Sequence, residues 1–110
     1  MSPAPNVRPG RSPVPLLIVV DHELARLGLV GALQGERGLS IVGEARDGQE
    51  ALQLCQELRP DLVLMDVRMP RIDGLEATRL IRVHEREQGL KATPIIALTA
   101  TATARVMEDV

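Results

Sequence analysis

Apolar residues fall along this chain in short solid runs, separated by stretches where they recur every three or four positions. The solid runs are Leu16–Val20, Leu62–Met65 and Ile95–Leu98, with a looser one over Ser40–Ala45. Continuous runs of this length, rich in β-branched residues, read as strands buried on both faces, as in a parallel sheet. The Ser40–Ala45 strand is the weakest of the four because Gly43 interrupts it, and Pro94 is tolerable at the first position of the last one.

The periodic stretches between them predict helices. A helix over His22–Leu33 carries Leu24, Leu27, Gly28 and Gly31 on one face, the glycines allowing a close approach to the sheet, and Gly35 and Gly38 punctuate its end. Asp47 with Glu50 three residues on has the pattern of a capping box. Ala51, Leu54, Cys55 and Leu58 follow at i, i+3, i+4 and i+7, an amphipathic face that Pro60 stops. Asp73 and Glu76 repeat the cap, Ala77, Leu80, Ile81 and His84 repeat the face, and Gly89 stands as a C-cap. Residues Ala100–Val110 are expected to begin one more helix. The order β-α-β-α-β-α-β-(α) calls for a parallel sheet with helices on both faces and right-handed crossovers.

A length of 110 residues suits one domain. The first fifteen residues carry Pro3, Pro5, Pro9, Pro13 and Pro15 and bury too little apolar surface to order themselves, so residues 1–15 are expected to form a disordered tail ahead of a domain at 16–110. The tail lacks the apolar centre of a signal peptide, and no apolar run approaches transmembrane length, so a soluble, cytoplasmic protein is the expectation. Thirteen basic and fifteen acidic residues leave a net charge of −2, which argues against a nucleic-acid surface spread over the domain. Phe, Tyr and Trp are absent, so base stacking on aromatic side chains is unavailable. The single cysteine, Cys55, reads as a small core residue. His84 reads as a boundary residue of its helix; His22 falls beside the strand ends, where a role at that edge and a solvent-facing place in a first helical turn are both open.

Three of the strands end in a polar residue: Asp21, Asp66 and Thr99. Parallel strands bring such ends to one edge of the sheet, where open α/β folds place their ligands. Two carboxylates converging there are a hard-oxygen site suited to Mg²⁺. Asp66 has the chemistry to attack phosphorus and form an aspartyl phosphate, and the Thr99 hydroxyl to bond a phosphoryl oxygen.

With these residues in view, the chain resembles the receiver domain of bacterial two-component response regulators, from Leu16 to about Thr103. The most specific pieces are the run Asp61-Leu-Val-Leu-Met-Asp-Val-Arg-Met-Pro70 and Asp73-Gly74-Leu75-Glu76-Ala77. Val42–Leu52, Pro94–Ala100 and the opening Asp21–Leu29 add to it; the last looks like the branch whose full-length members carry a helix-turn-helix output domain. Glu87–Pro94 looks more like receivers attached to hybrid sensor kinases. The resemblance implies a flavodoxin-like, doubly wound parallel sheet. It implies that Asp66 is the phosphoacceptor and that Asp21, Asp66 and the backbone carbonyl of Arg68 bind Mg²⁺. Thr99 would be the switch hydroxyl, with Met69 and Pro70 shaping the turn beside the site. The implied partner is a sensor histidine kinase or phosphotransfer protein, with no enzyme activity of the chain's own.

Two departures from the family pattern stand out. Val20 occupies the first of two positions that usually hold acids after the first strand, for which the expected loss of Mg²⁺ affinity is about 1–3 kcal/mol. The chain also stops before the family's fifth strand and last helix, which contain its phosphate-contacting lysine; Lys91 is misplaced to serve instead. This leaves Pro94–Leu98 as an expected open apolar edge and a route to self-association. DNA binding would need an output domain that these 110 residues do not contain. Two other readings compete: a degenerate receiver that serves only as an interaction domain, and a hydrolase-type phosphotransferase with Asp66 as transient nucleophile. The last is disfavoured because Arg68 stands where such enzymes place a second acid.

Overall fold

Strand β1 (Val14–Val19) lies at the heart of the sheet, paired in parallel with β2 (Leu39–Ala45) on one side and β3 (Leu62–Asp66) on the other. Outside β3 comes β4 (Ile95–Leu98), also parallel, giving the order β2-β1-β3-β4 with a short β5 (Ala104–Met107) at the far edge. The computed structural model describes residues 13–67, 69 and 73–98, and the backbone of residues 104–107.

Helices α1 (Glu23–Gln34), α2 (Gly48–Leu58) and α3 (Gly74–Gln88) fill the three crossovers. Alternate residues of β1 feed two cores. Leu17 and Val19 join Ala45, Ala51, Val63, Met65, Ala77, Ile81 and Ile95, the core that α2 and α3 cover. Leu16, Ile18 and Val20 face the other way, against Leu29, Val30 and Leu33 of α1. Leu16 to Val19 are each wholly buried, which explains why this strand is a solid apolar run with no alternation. The doubly wound α/β architecture expected from the sequence is therefore the one observed.

Both predicted caps form. The Asp47 carboxylate accepts from the Glu50 N–H at 2.8 Å, and the Asp73 carboxylate from the Glu76 N–H at 2.9 Å. The Glu50 carboxylate reaches back to the Arg46 N–H at 2.7 Å, one residue before the cap. Helix α3 ends on Gly89 in the left-handed region (φ 65°), while α2 ends on Arg59, a non-glycine residue held at φ 47° just before Pro60. Gly43 weakens β2 for a reason now visible. The register slips between Leu16 and Leu17, so that Val42 has no partner, and a Cβ on residue 43 would stand 2.7 Å from the Leu58 Cδ1 of α2.

The structure departs from expectation in three places. Strand β1 takes in Val14 and Pro15, which the sequence assigns to the tail. In α1 the predicted inner face is the outer one: Leu24 and Leu27 are 73% and 60% exposed, and Gly28 and Gly31 meet nothing. The helix carries two overlapping stripes, and the one holding Leu29, Val30 and Leu33 buries far more apolar area than one half made of glycine. Finally, residues 104–107 form a strand where a helix was expected. It runs antiparallel along β4, from Leu98 opposite Ala104 to Ile95 opposite Met107. The expected open edge at Pro94–Leu98 is thus occupied, as unpaired backbone groups on a strand require partners. Among the described residues there is no fifth parallel strand and no fourth helix.

Candidate functional site at the carboxyl ends of the strands

Strand β3 delivers Asp66 as its last residue, half-buried, with its Cα opposite Leu98 of β4. On the other side Val19 pairs with Met65, so the chain leaving β1 carries Asp21 onto the same edge of the sheet as Asp66. Asp21 is exposed, in the turn between Val20 and the helix cap. The two acids of the sequence analysis are therefore brought to one edge by parallel neighbours.

The backbone beneath Asp66 is tied on two sides. The Val67 N–H donates to the Leu98 carbonyl and the Gly74 N–H to the Val67 carbonyl, each at 3.1 Å. The second bond seats the first turn of α3 directly on the end of β3. That seat exists only because residue 74 is glycine: a Cβ there would collide with the Asp66 carbonyl and stand 2.8 Å from the Val67 Cα. Met69 turns its side chain into the core beneath α2 and α3, 8% exposed. The other predicted site residues, Arg68, Pro70 and Thr99, lie outside the described residues.

Val20, at the position where the resemblance leads one to expect an acid, is 3% exposed and belongs to the core beneath α1. Its backbone is held twice. The Val20 N–H donates to the Ala45 carbonyl at 3.0 Å, and the Val20 carbonyl accepts from Arg26 Nη1 at 3.5 Å. Arg26 is itself only 7% exposed; its Nε lies 3.3 Å from Glu44 Oε1 and its Nη2 3.9 Å from Glu23 Oε1. His22 caps α1, its Nδ1 accepting from the Ala25 N–H at 3.4 Å, and remains exposed, as its place in a first helical turn suggested.

Sequence reasoning gave Arg26 and Gly74 no role of their own, though both lie in segments that carry the resemblance. Each left a signal. Arg26 is a charge in line with the Leu29–Val30–Leu33 stripe, and Gly74 is a poor helix former at the first position of a long helix.

The donor set fits Mg²⁺. It offers the carboxylate oxygens of Asp21 and Asp66, the hard donor type that Mg²⁺ takes with waters, and among the described residues no group of three or more His, Cys, Asp or Glu side chains gathers to hold a metal ion. Cys55 and His84 are remote from it. They line a cavity of about 170 Å³ with Pro60, Ile81 and Glu85, at the opposite edge, where the chain enters β3 and β4. Burial, reinforced by the nearby Glu85 and opposed by Arg82, pushes the Cys55 thiol up to about 12, which keeps it protonated near neutral pH. Among the described residues no helix is long and apolar enough to cross a membrane.

Comparison with known proteins places the whole folded region in one family. Residues 16–110 match the family described as the response regulator receiver domain. The response regulator GacA of Pseudomonas viridiflava is 53% identical over 70 residues, covering 63% of this chain and 33% of that protein. A protein-glutamate methylesterase/protein-glutamine glutaminase of Myxococcus xanthus is 54% identical over 69 residues, covering 63% of this chain and 20% of that protein. The chain thus spans a third or less of these two relatives. Among solved structures, the receiver domain of the Arabidopsis thaliana histidine kinase CKI1, complexed with Mg²⁺ and BeF₃⁻, superimposes with a TM-score of 0.67 at 35% identity, over 78% of this chain and 65% of that one.

Proposed function

The chain belongs to the response regulator receiver family of two-component signalling, and from that premise we propose that Asp66 is its phosphoacceptor, charged from a histidine kinase or phosphotransfer protein in a Mg²⁺-dependent step. The observation that carries this reading is the placement of Asp66 at the carboxyl end of β3, with Asp21 on the adjoining end of β1.

In the proposed step an Asp66 carboxylate oxygen attacks the phosphorus of a phosphohistidine. The O–P bond forms as the N–P bond breaks, and the imidazole nitrogen of the donor leaves with the electron pair. Mg²⁺, when bound, offsets the charge gathering between the carboxylates and the phosphoryl oxygens. Asp21, Asp66 and the Arg68 carbonyl are the residues that would hold it. Attack from Asp66 requires a backbone that does not yield, and the bonds from Val67 to Leu98 and from Gly74 to Val67 supply that. The Thr99 hydroxyl is the group proposed to close on the phosphoryl oxygen, and Met69 and Pro70 shape the turn beside it. The added charge then repositions the neighbouring surface. On this reading the chain is a cytoplasmic signalling module and not an enzyme in its own right.

The test is uptake from a small acyl phosphate with Mg²⁺, followed by intact mass. One added phosphoryl group that hydroxylamine removes, and that Asp66→Asn lacks, supports the reading. A second reading draws on buried Val20: a receiver that is never phosphorylated and acts only by binding a partner. A folded wild-type chain that takes up nothing, even at high Mg²⁺, would favour it.

A further inference from the structure

We propose that Arg26 is a positioning residue for Asp21: its buried guanidinium holds the turn that presents this carboxylate, and so sets the affinity of the site for Mg²⁺. The inference rests on the reading of Asp21 as a metal ligand and asks what keeps it in place.

Asp21 is exposed and follows Val20, the packed residue just after β1, so the residues on either side set where its backbone stands. Val20 is fixed by its N–H to the Ala45 carbonyl and by its side chain in the core under α1. Its carbonyl, the group that leads directly into Asp21, meets Arg26 Nη1. The same guanidinium reaches Glu44 on β2 and Glu23 in the first turn of α1, so one planar fork joins the two strands and the helix that border the turn. The Arg26 N–H also bonds the His22 carbonyl at 2.9 Å, closing the turn from its helical side. Since Val20 removes the second carboxylate that relatives of this family place here, β1 offers the metal one side chain. Misplacement of that one side chain is then uncompensated.

Charge and position predict opposite signs, which makes the assignment testable. A cation beside a metal site repels Mg²⁺, so if Arg26 acted through charge alone its removal would tighten binding. If it acts by position, removal weakens binding. Glu44 and Glu23 face the guanidinium and offset its charge, which favours the second effect.

The experiment is Mg²⁺ titration of the wild-type chain, Arg26→Gln and Arg26→Lys, followed by amide NMR at Val20 and Asp21. It is paired with metal-free hydrogen exchange at the Val20 N–H. Loss of the fork is expected to weaken Mg²⁺ binding about tenfold in the Gln variant, and less in the Lys variant, which keeps the buried stem. Exchange at Val20 is expected to rise about tenfold relative to Val63, without metal present. Unchanged or tighter Mg²⁺ binding in a folded Lys variant overturns the proposal. A Lys variant that does not fold also overturns it, because Arg26 would then be a residue of the fold and not of the site. A wild-type chain that binds no Mg²⁺ refutes the metal-site reading itself, an outcome separate from a variant that matches wild type.

Discussion

Gly74 begins helix α3 so close to Asp66 that its backbone rests on the last peptide of β3, with its N–H bonded to the Val67 carbonyl at 3.1 Å. The residue that the site depends on and the helix that covers it are therefore one mechanical unit. Gly74→Ala forces a methyl group into the Asp66 carbonyl, and neither partner is a side chain that can swing aside. A loss of about 1–3 kcal/mol in urea denaturation is expected. Gly43→Ala is the control: its Cβ meets the tips of Leu58 and Leu17, which can move, so the expected cost is smaller, about 1 kcal/mol. Equal losses at the two positions would contradict this account.

Val20→Asp restores the acid that the family places after the first strand, at a position only 3% exposed. Two opposed effects are expected. Mg²⁺ binding should tighten by about 1–3 kcal/mol, the scale of a charge-assisted hydrogen bond. Metal-free stability should fall by about 1–3 kcal/mol, as a polar group replaces an apolar one beside Leu29 and Val30. Calorimetric titration and thermal melts with and without Mg²⁺ measure both.

At the opposite edge, Arg82 and Glu85 are buried at 6% exposure each and paired at 2.8 Å. Arg82 Nη1 also donates to the Thr93 carbonyl and the Thr93 N–H donates to Glu85 Oε2, both at 2.8 Å. The pair thereby pins the loop from α3 into β4, the strand that ends beside Asp66. Removing one partner leaves a buried charge uncompensated, so Glu85→Gln or Arg82→Met is expected to cost about 3–5 kcal/mol. Hydrogen exchange at the Thr93 amide should report the loosening before global unfolding does.

Cys55 gives the chain an alkaline limit. Its thiol is held up at about 12, against an ordinary 9.0, first by burial and then by Glu85. A raised value in the folded state means that this contribution is fully present below about pH 9. It drains away as pH climbs from 9 towards 12, where the unfolded chain releases the proton and the folded one retains it. The chain has no tyrosine and a single lysine, so few other groups titrate in that window. The urea midpoint should fall above pH 9 in the wild type and fall less in Cys55→Ala. A native chain that reacts with iodoacetamide at pH 8 as fast as the unfolded chain would refute the burial of this thiol.

The sequence alone determined the element order as far as β4, the two Asp caps at Asp47 and Asp73, the end of α3 at Gly89 and the placement of Asp21 and Asp66 on one edge. These follow from local rules: strand runs, i and i+4 spacing, cap chemistry, and the requirement that parallel strands all end on the same side. Tertiary structure decided the rest. Which stripe of α1 turned inward depended on the apolar area each could bury against Leu16 and Ile18, and Leu24 with two glycines could not match Leu29, Val30 and Leu33. Residues 104–107 became a strand because the neighbouring β4 presented an edge to pair with, which no helical periodicity within the segment itself records. The burial of Arg26 and the need for glycine at position 74 were decided the same way. Each depends on what stands opposite across the fold, and a periodicity read along the chain carries no record of that.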